Sequence, residues 1–310
     1  MRCPECNSSE VQKRGTRGSR QRYNCKSCGK YFSGGFGSAL RGFELFGSNV
    51  ASDMPGAKIL VYDIETSPIV VYTWGLKPHY ISPKNVIHDR FIISWAAKWL
   101  GENEIMSDVL TPKEARAKSD KRIVSSFWKL LNEADIVIAH NGDRFDMKHL
   151  NAKFLEHDII PPRPYRSIDT LKSTRRVFGF TSNALDYLTT KLSIGQKIET
   201  NFKLWIDCME GIASSLKEMV TYNENDIIIL EDWYMKIRRW IPNHPNIGMY
   251  SSDNAKEACP VCGGGITIDS KIATTTTNSW KTFRCNDCKR TGRTKINSMT
   301  KEEKRFFITR

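Results

Sequence analysis

Asp63 and Glu65 stand two apart where the apolar run KILVYDIET ends. On a strand, period-two alternation sends both carboxylates to one face. Acidic-x-acidic pairs recur at 102/104, 133/135, 156/158 and 224/226, so spacing alone says little. Context says more, because carboxylates at the end of an apolar strand are costly to bury unpaired. Asp146 follows a second apolar run, DIVIAHN, within HNGDRFD at the start of a helical pattern. Tyr222 and Asp226 lie four apart in YNENDIIILEDWY, where Ile227, Leu230 and Trp233 read as the apolar stripe of a helix. That spacing puts the tyrosine and the aspartate on one helical face. Four carboxylates on a strand end and two helices can converge on a pair of divalent cations.

Eight of the nine cysteines carry a different chemistry. Cys3-x2-Cys6 and Cys25-x2-Cys28 enclose 18 residues, while Cys259-x2-Cys262 and Cys285-x2-Cys288 enclose 22. Each CxxC turn aims two sulfurs at one ion and two facing turns close a tetrahedron, so each quartet is expected to hold a structural Zn²⁺. Pro after Cys3 and Cys259, and Gly after Cys28 and Cys262, suit such knuckles. Disulfides are the competing reading, disfavoured inside a cell. Cys208 has no partner in the pattern and reads as a core residue.

The elements that must position these groups follow from periodicity. The runs at 58–66, near 69–75 and at 91–99 read as strands, as does DIVIAHN. Helical spacing spans 112–133, FDMKHLNAKFLEH, NALDYLTTKL and a long stretch through 212–240. Strands first, then alternation, then helices predict an α/β domain with a mixed sheet and flanking helices. The Gly- and Ser-rich stretch after Phe32 and the segment from Pro242 read as breaks. The expected organisation is a ribbon at 1–33, a linker at 34–57, the α/β domain at 58–241, a linker at 242–258 and a ribbon at 259–310.

Across 310 residues the formal net charge is +13. Residues 1–50 and 251–310 each carry +6, leaving +1 for the 200 residues between them. Two basic ends around a neutral centre favour a polyanionic partner, nucleic acid above all. Solubility without a ligand is the plainer alternative. The first ribbon displays Arg14, Arg17, Arg20 and Arg22 near Tyr23, and the second Lys289, Arg290 and Arg293 near Trp280 and Phe283. Cations for phosphates beside aromatics for bases suit nucleic-acid contact, with a protein-docking surface as the rival reading. The apolar runs are too short to span a bilayer, and Met-Arg-Cys-Pro-Glu-Cys lacks an apolar signal region. A soluble, cytoplasmic protein with no membrane partner is expected.

In order, Asp63-x-Glu65, Asn141-x3-Phe145-Asp146 and Tyr222-x3-Asp226 resemble the three exonuclease motifs of the DEDD superfamily in its tyrosine-containing branch. SIDTLKSTRRVFGF, NALDYLTTKLSIGQK and KLWIDCMEGIASSLKEMVTYNENDIIILEDWYMKIRRWIPNHPNIGMY look like bacteriophage-encoded RNase H-like exonucleases related to the exonuclease domain of DNA polymerases. The histidine branch carries His five residues before the last Asp, where this chain has Thr221. The first 30 residues resemble the N-terminal zinc ribbon of insertion-sequence transposases. The resemblance implies an RNase H-like (DnaQ-like) fold, two Mg²⁺ or Mn²⁺ at the acids and two Zn²⁺ at the cysteines. It further implies that Asp63, Glu65, Asp146 and Asp226 hold the catalytic metals. Tyr222 would orient the attacking water, while Thr66, Asn141 and Phe145 would contact the terminal nucleotide.

The function expected is a metal-dependent 3′→5′ exonuclease, on DNA in preference to RNA, in the host cytoplasm if phage-encoded. A structure-specific endonuclease using the same site, a non-catalytic nucleic-acid-binding or recruitment factor, and a transposase are the rivals. A ribbon also offers a surface for a protein partner.

Overall fold

In the computed structural model, which describes residues 8–17, 20–34, 56–77, 80–250 and 258–306, the chain divides into two units, Met1–Ser48 and Asn49–Arg310. The first contains the antiparallel strands β1 (Val11–Arg17), β2 (Arg20–Cys25) and β3 (Tyr31–Gly34). A tight turn closes β2 onto β3: Gly29 N–H donates to Cys25 O, and Cys25 N–H to Lys30 O. Gly29 has φ +73°, the left-handed conformation that costs glycine least. Cys3 and Cys6 lie outside the described residues, as do the side chains of Arg17, Arg20 and Arg22.

In the second unit, β4 (Ile59–Thr66) runs along the middle of a five-stranded sheet. A two-residue strand β5 (Val70–Val71) pairs with β6 (Val86–His88) outside that sheet. Next come β7 (Ile92–Trp99), β8 (Met106–Val109), helices α1 (Pro112–Ala117) and α2 (Lys121–Glu133), β9 (Ile136–Ala139), α3 (Asp146–Glu156) and β10 (Arg166–Asp169). The helices α4 (Thr170–Val177), α5 (Leu185–Lys191), α6 (Lys203–Met209) and α7 (Ala213–Ile237) complete the domain. The sheet order is β10-β9-β4-β7-β8, with β9 and β10 parallel to β4 and its neighbour β7 antiparallel. It is a mixed sheet, as the sequence predicts.

Alternation along β4 divides the core. Leu60, Tyr62 and Ile64 pack with Phe127 and Leu131 of α2 and Leu150 of α3. Ile59 and Val61 pack with Ile227, Leu230 and Trp233 of α7. Each fully buried aliphatic side chain contributes roughly 2 kcal/mol. Asp63 and Glu65 continue the parity of Val61, so α7 is the helix they meet.

Three local expectations change. The helical pattern at 112–133 breaks into α1 and α2 because Lys118 turns left-handed (φ 54°), and Arg122 then reaches Asp108 at 2.7 Å and Glu114 at 2.8 Å. The strand expected near 69–75 shrinks to β5, followed by a turn in which Thr73 Oγ1 donates to Gly75 O. Of the stretch from Pro242, the described part is anchored at Ile247, which is buried and whose N–H donates to Pro260 O.

The second ribbon comprises β11 (Ile266–Thr274), β12 (Ser279–Cys285) and β13 (Thr291–Arg293), followed by a one-turn helix α8 (Glu303–Phe306). Arg290 seats it on the end of the domain, donating to the carbonyls of Arg239 (2.6 Å) and Ile241 (3.0 Å). Among the described residues, no helix is long and apolar enough to cross a membrane.

Candidate active site

Carboxylate oxygens of Asp63, Glu65 and Asp226 lie within 4.8 Å of one another. The first two come from β4 and the third from the middle of α7, two elements that the apolar core holds face to face. Buried or half-buried side chains contact each acid. Asn223, three residues before Asp226, donates to Asp63 Oδ2 at 2.8 Å and accepts from Ser94 Oγ at 3.2 Å. Trp205 of α6 donates its indole N–H to Glu65 Oε2 at 3.2 Å. Lys197 donates to Asp226 Oδ2 and lies 3.4 Å from the Tyr222 hydroxyl. The other oxygen of Asp226, Oδ1, is buried with no hydrogen-bond partner among the described residues.

Asp146 stands at the first turn of α3, buried, and its Oδ1 accepts the N–H of Ile64 at 3.3 Å. It lies outside the close trio, yet its charge acts on Asp63. Burial, then the charges of Asp146, Glu65 and Asp226, hold the Asp63 carboxyl well above the usual carboxylate range. Glu65 is pushed up to about 7 by burial and then by the charge of Asp226. Burial likewise raises Asp146 to about 7. Burial followed by the charge of Asp226 lifts the Tyr222 hydroxyl to about 12, keeping it a hydrogen-bond donor at neutral pH. A set of hard oxygen donors that disfavour their own charge, one buried lone acceptor included, fits a divalent cation such as Mg²⁺ or Mn²⁺.

Asp63 and Asp226 line a cleft of about 690 Å³ together with Lys197, Asn141, His140 and Arg175 among others. Asn141 adopts φ 76° and donates its N–H to Asp169 Oδ1 at 3.1 Å, which presents its side chain at the turn from β9 to α3. His140 has both ring nitrogens engaged, by Thr170 Oγ1 at 2.9 Å and Asn183 O at 3.0 Å, and burial lowers its pKa to about 4. Phe145 packs edge-on against His149 and beneath Arg90. Thr66 ends β4, where the pairing with β7 shifts register after Glu65.

In the second ribbon the sulfurs of Cys259, Cys262, Cys285 and Cys288 cluster, with Cys259–Cys288 at 3.7 Å and Cys262–Cys285 at 3.5 Å. Those separations far exceed a disulfide bond and suit four thiolates around one Zn²⁺. Arg293 stacks on Trp280 at 3.6 Å, and Lys289 caps Asn286 O from an exposed turn. Arg290 spends its guanidinium on the docking carbonyls. Arg14 is exposed on β1, while Cys25 is buried and Cys28 exposed.

Lys197, Asn223 and Trp205 are the site residues that the sequence did not single out. Lys197 stands in a stretch without regular structure, and neither Asn223 nor Trp205 belongs to a recurring spacing.

Residues 91–238 match the family model described as RNase_H superfamily. The fold is RNase H-like. The match covers Asp146, Tyr222 and Asp226 and begins after the strand that carries Asp63 and Glu65. No curated protein matches the sequence. Among solved structures, the family B DNA polymerase of the hyperthermophilic archaeon Pyrobaculum calidifontis is similar, at 12% identity and TM-score 0.42, over 60% of this chain and 25% of that one. The matched part of the chain spans about a quarter of the polymerase's length. In the RNase H-like domain the acids occupy the end of the central strand and the facing helix, an arrangement compatible with divalent metal binding and nuclease chemistry.

Proposed function

We propose that this protein is a two-metal nuclease of the DEDD type in its tyrosine branch, a 3′→5′ exonuclease acting on DNA, with its zinc ribbons gripping the substrate. The supporting observation is the convergence of Asp63, Glu65 and Asp226 within 4.8 Å, with Asp226 Oδ1 lacking any partner among the described residues.

In this reading Asp63, Glu65 and Asp226 would hold one Mg²⁺ or Mn²⁺, and Asp63 with Asp146 would hold the other. When bound, the cations supply Lewis acidity to the attacking water and to the leaving 3′ oxygen. The protein's own groups do the rest. Tyr222, protonated at neutral pH, orients the water by hydrogen bonding. Asn223 and Trp205 fix the rotamers of Asp63 and Glu65. Lys197 offers a cation to phosphate oxygens, and Asn141, lining the same cleft, meets the terminal nucleotide.

A gel time course on end-labelled single-stranded DNA, duplex DNA and single-stranded RNA tests the proposal, with Mg²⁺, Mn²⁺ or EDTA and beside Asp63→Ala. The expected result is a ladder shortening from the 3′ end of DNA, abolished by EDTA and by the substitution. Internal cuts under the same controls would make the enzyme an endonuclease. Tight binding without metal-dependent cleavage would make the fold a docking module.

A further inference from the structure

The catalytic strand leads directly into an unusual protrusion. After Glu65 and Thr66, Ser67 ties the chain to Phe91 twice: its N–H donates to Phe91 O at 2.9 Å, and its Oγ accepts from Phe91 N at 3.1 Å. Between these ties β5 and β6 pair, Val70 with His88 and Val71 with Val86, and Tyr72 N–H donates to Asn85 O at 3.0 Å. At the far end of this arm Tyr72 is 74% exposed, Trp74 106%, Leu76 101% and Tyr80 78%. Seven of the twenty exposed large apolar side chains among the described residues lie between Ile69 and Ile87. Water-exposed apolar surface concentrated in this way marks a place where something docks.

Charge names the occupant. From Ser67 to His88 the sequence holds Lys77 and Lys84 and no Asp or Glu. Both lysines are exposed. At the arm's base, Arg90 bonds His149 at 2.8 Å and covers the Phe145 ring. Aromatic faces interleaved with cations, with Asp89 at the base as the one acid beside them, suit a strand of nucleotides, whose bases stack while its phosphates pair with lysine.

We propose that the β5–β6 arm is a stacking platform for the bases of a single-stranded nucleic acid whose end enters the acidic cleft, with Tyr72, Trp74 and Tyr80 as the base contacts. The direction of the strand into the cleft rests on the nuclease reading above; the stacking itself does not. With the 3′ end at the carboxylates, as the nuclease reading has it, bases held on the arm are upstream of that end.

The full-length protein and its Tyr72→Ala/Trp74→Ala variant are compared in Ca²⁺ with EDTA-treated controls, using a fluorescein-labelled oligothymidylate of about 15 nucleotides and an abasic strand of equal length. The wild type is expected to bind the oligothymidylate at least about tenfold more tightly than the abasic strand. The variant loses about tenfold or more on the oligothymidylate, the scale of one base–aromatic stack, and under twofold on the abasic strand. Equal losses on both strands, or no loss on either, would overturn the stacking platform. So would a wild-type dimer that light scattering shows to dissociate in the variant, since the arm would then cover a second copy. Hydrolysis of p-nitrophenyl thymidine 5′-phosphate, too small to reach the arm, stays within twofold of wild type if the domain is intact. Should that diester resist the wild type as well while the base-dependent contrast persists, the nuclease reading fails and the platform stands.

Discussion

Lys197 donates to one oxygen of Asp226 while the other oxygen of that carboxylate is buried with no hydrogen-bond partner among the described residues. The lysine therefore offsets part of the charge of a carboxylate that belongs to the acidic trio, and leaves its other oxygen free for a ligand. A divalent cation entering there competes with the ammonium for the same carboxylate. Lys197→Met is expected to tighten Mg²⁺ binding to the metal-free protein several-fold by calorimetry and to slow cleavage. Weaker Mg²⁺ binding in that variant would instead make the lysine an organiser of the site.

Loss of a ligand should separate turnover from affinity. Asp226→Asn is expected to reduce cleavage by at least about a thousandfold, with oligonucleotide binding within a few-fold of wild type. Filter binding and gel kinetics on the same preparation decide it. Parallel loss of both would place Asp226 in folding.

The raised carboxylates impose a pH dependence on stability. Glu65 moves from an ordinary 4.5 up to about 7, so between these values the folded state holds a proton that the unfolded state has lost. The metal-free protein should lose stability as pH rises from about 4.5 to about 7 and level off above, with Asp146 acting in the same window. Mg²⁺ then raises the melting temperature more at pH 8 than at pH 5. A metal-induced shift independent of pH, read by thermal unfolding, would contradict this.

Asn223 links Asp63 to Ser94 inside the core. Asn223→Ala leaves both partners unsatisfied, and a cost of roughly 1–3 kcal/mol is expected from chemical denaturation. Asn223→Ser, able to donate to only one of them, should recover part of the activity. Equal activity in all three proteins would show that Asp63 needs no positioning partner.

Zinc counting tests the ribbons separately from the acids. Elemental analysis of the intact protein is expected to give two equivalents, and Cys285→Ala one. Arg290→Ala should keep both ions but speed proteolysis after Pro242, because the docking carbonyls lose their donor.

The strands that end at Thr66 and Ala139 are legible in the sequence because continuous apolar runs bounded by polar residues have few other uses. The helix α7 is legible from its stripe of Ile227, Leu230 and Trp233, set at helical spacing beside Tyr222 and Asp226. By contrast β8 and β10, MSDV and RSID, carry too few apolar residues to announce themselves, and pairing with β7 and β9 makes them strands. The carboxylates stand out by type and spacing. Lys197, Asn223 and Trp205 do not, since each matters through a partner far away in sequence, such as Trp205 with Glu65.

Arg290 grips the chain at Arg239, thirteen residues beyond Asp226 and almost wholly along α7. At helical rise that distance is about 20 Å, or about six phosphate steps at the spacing of one strand of a duplex. The distance between the ribbon's anchor and the carboxylates is thus fixed by backbone geometry rather than by a flexible tether. If the ribbon holds substrate as proposed, oligonucleotides shorter than about six residues reach one end of that span but not both.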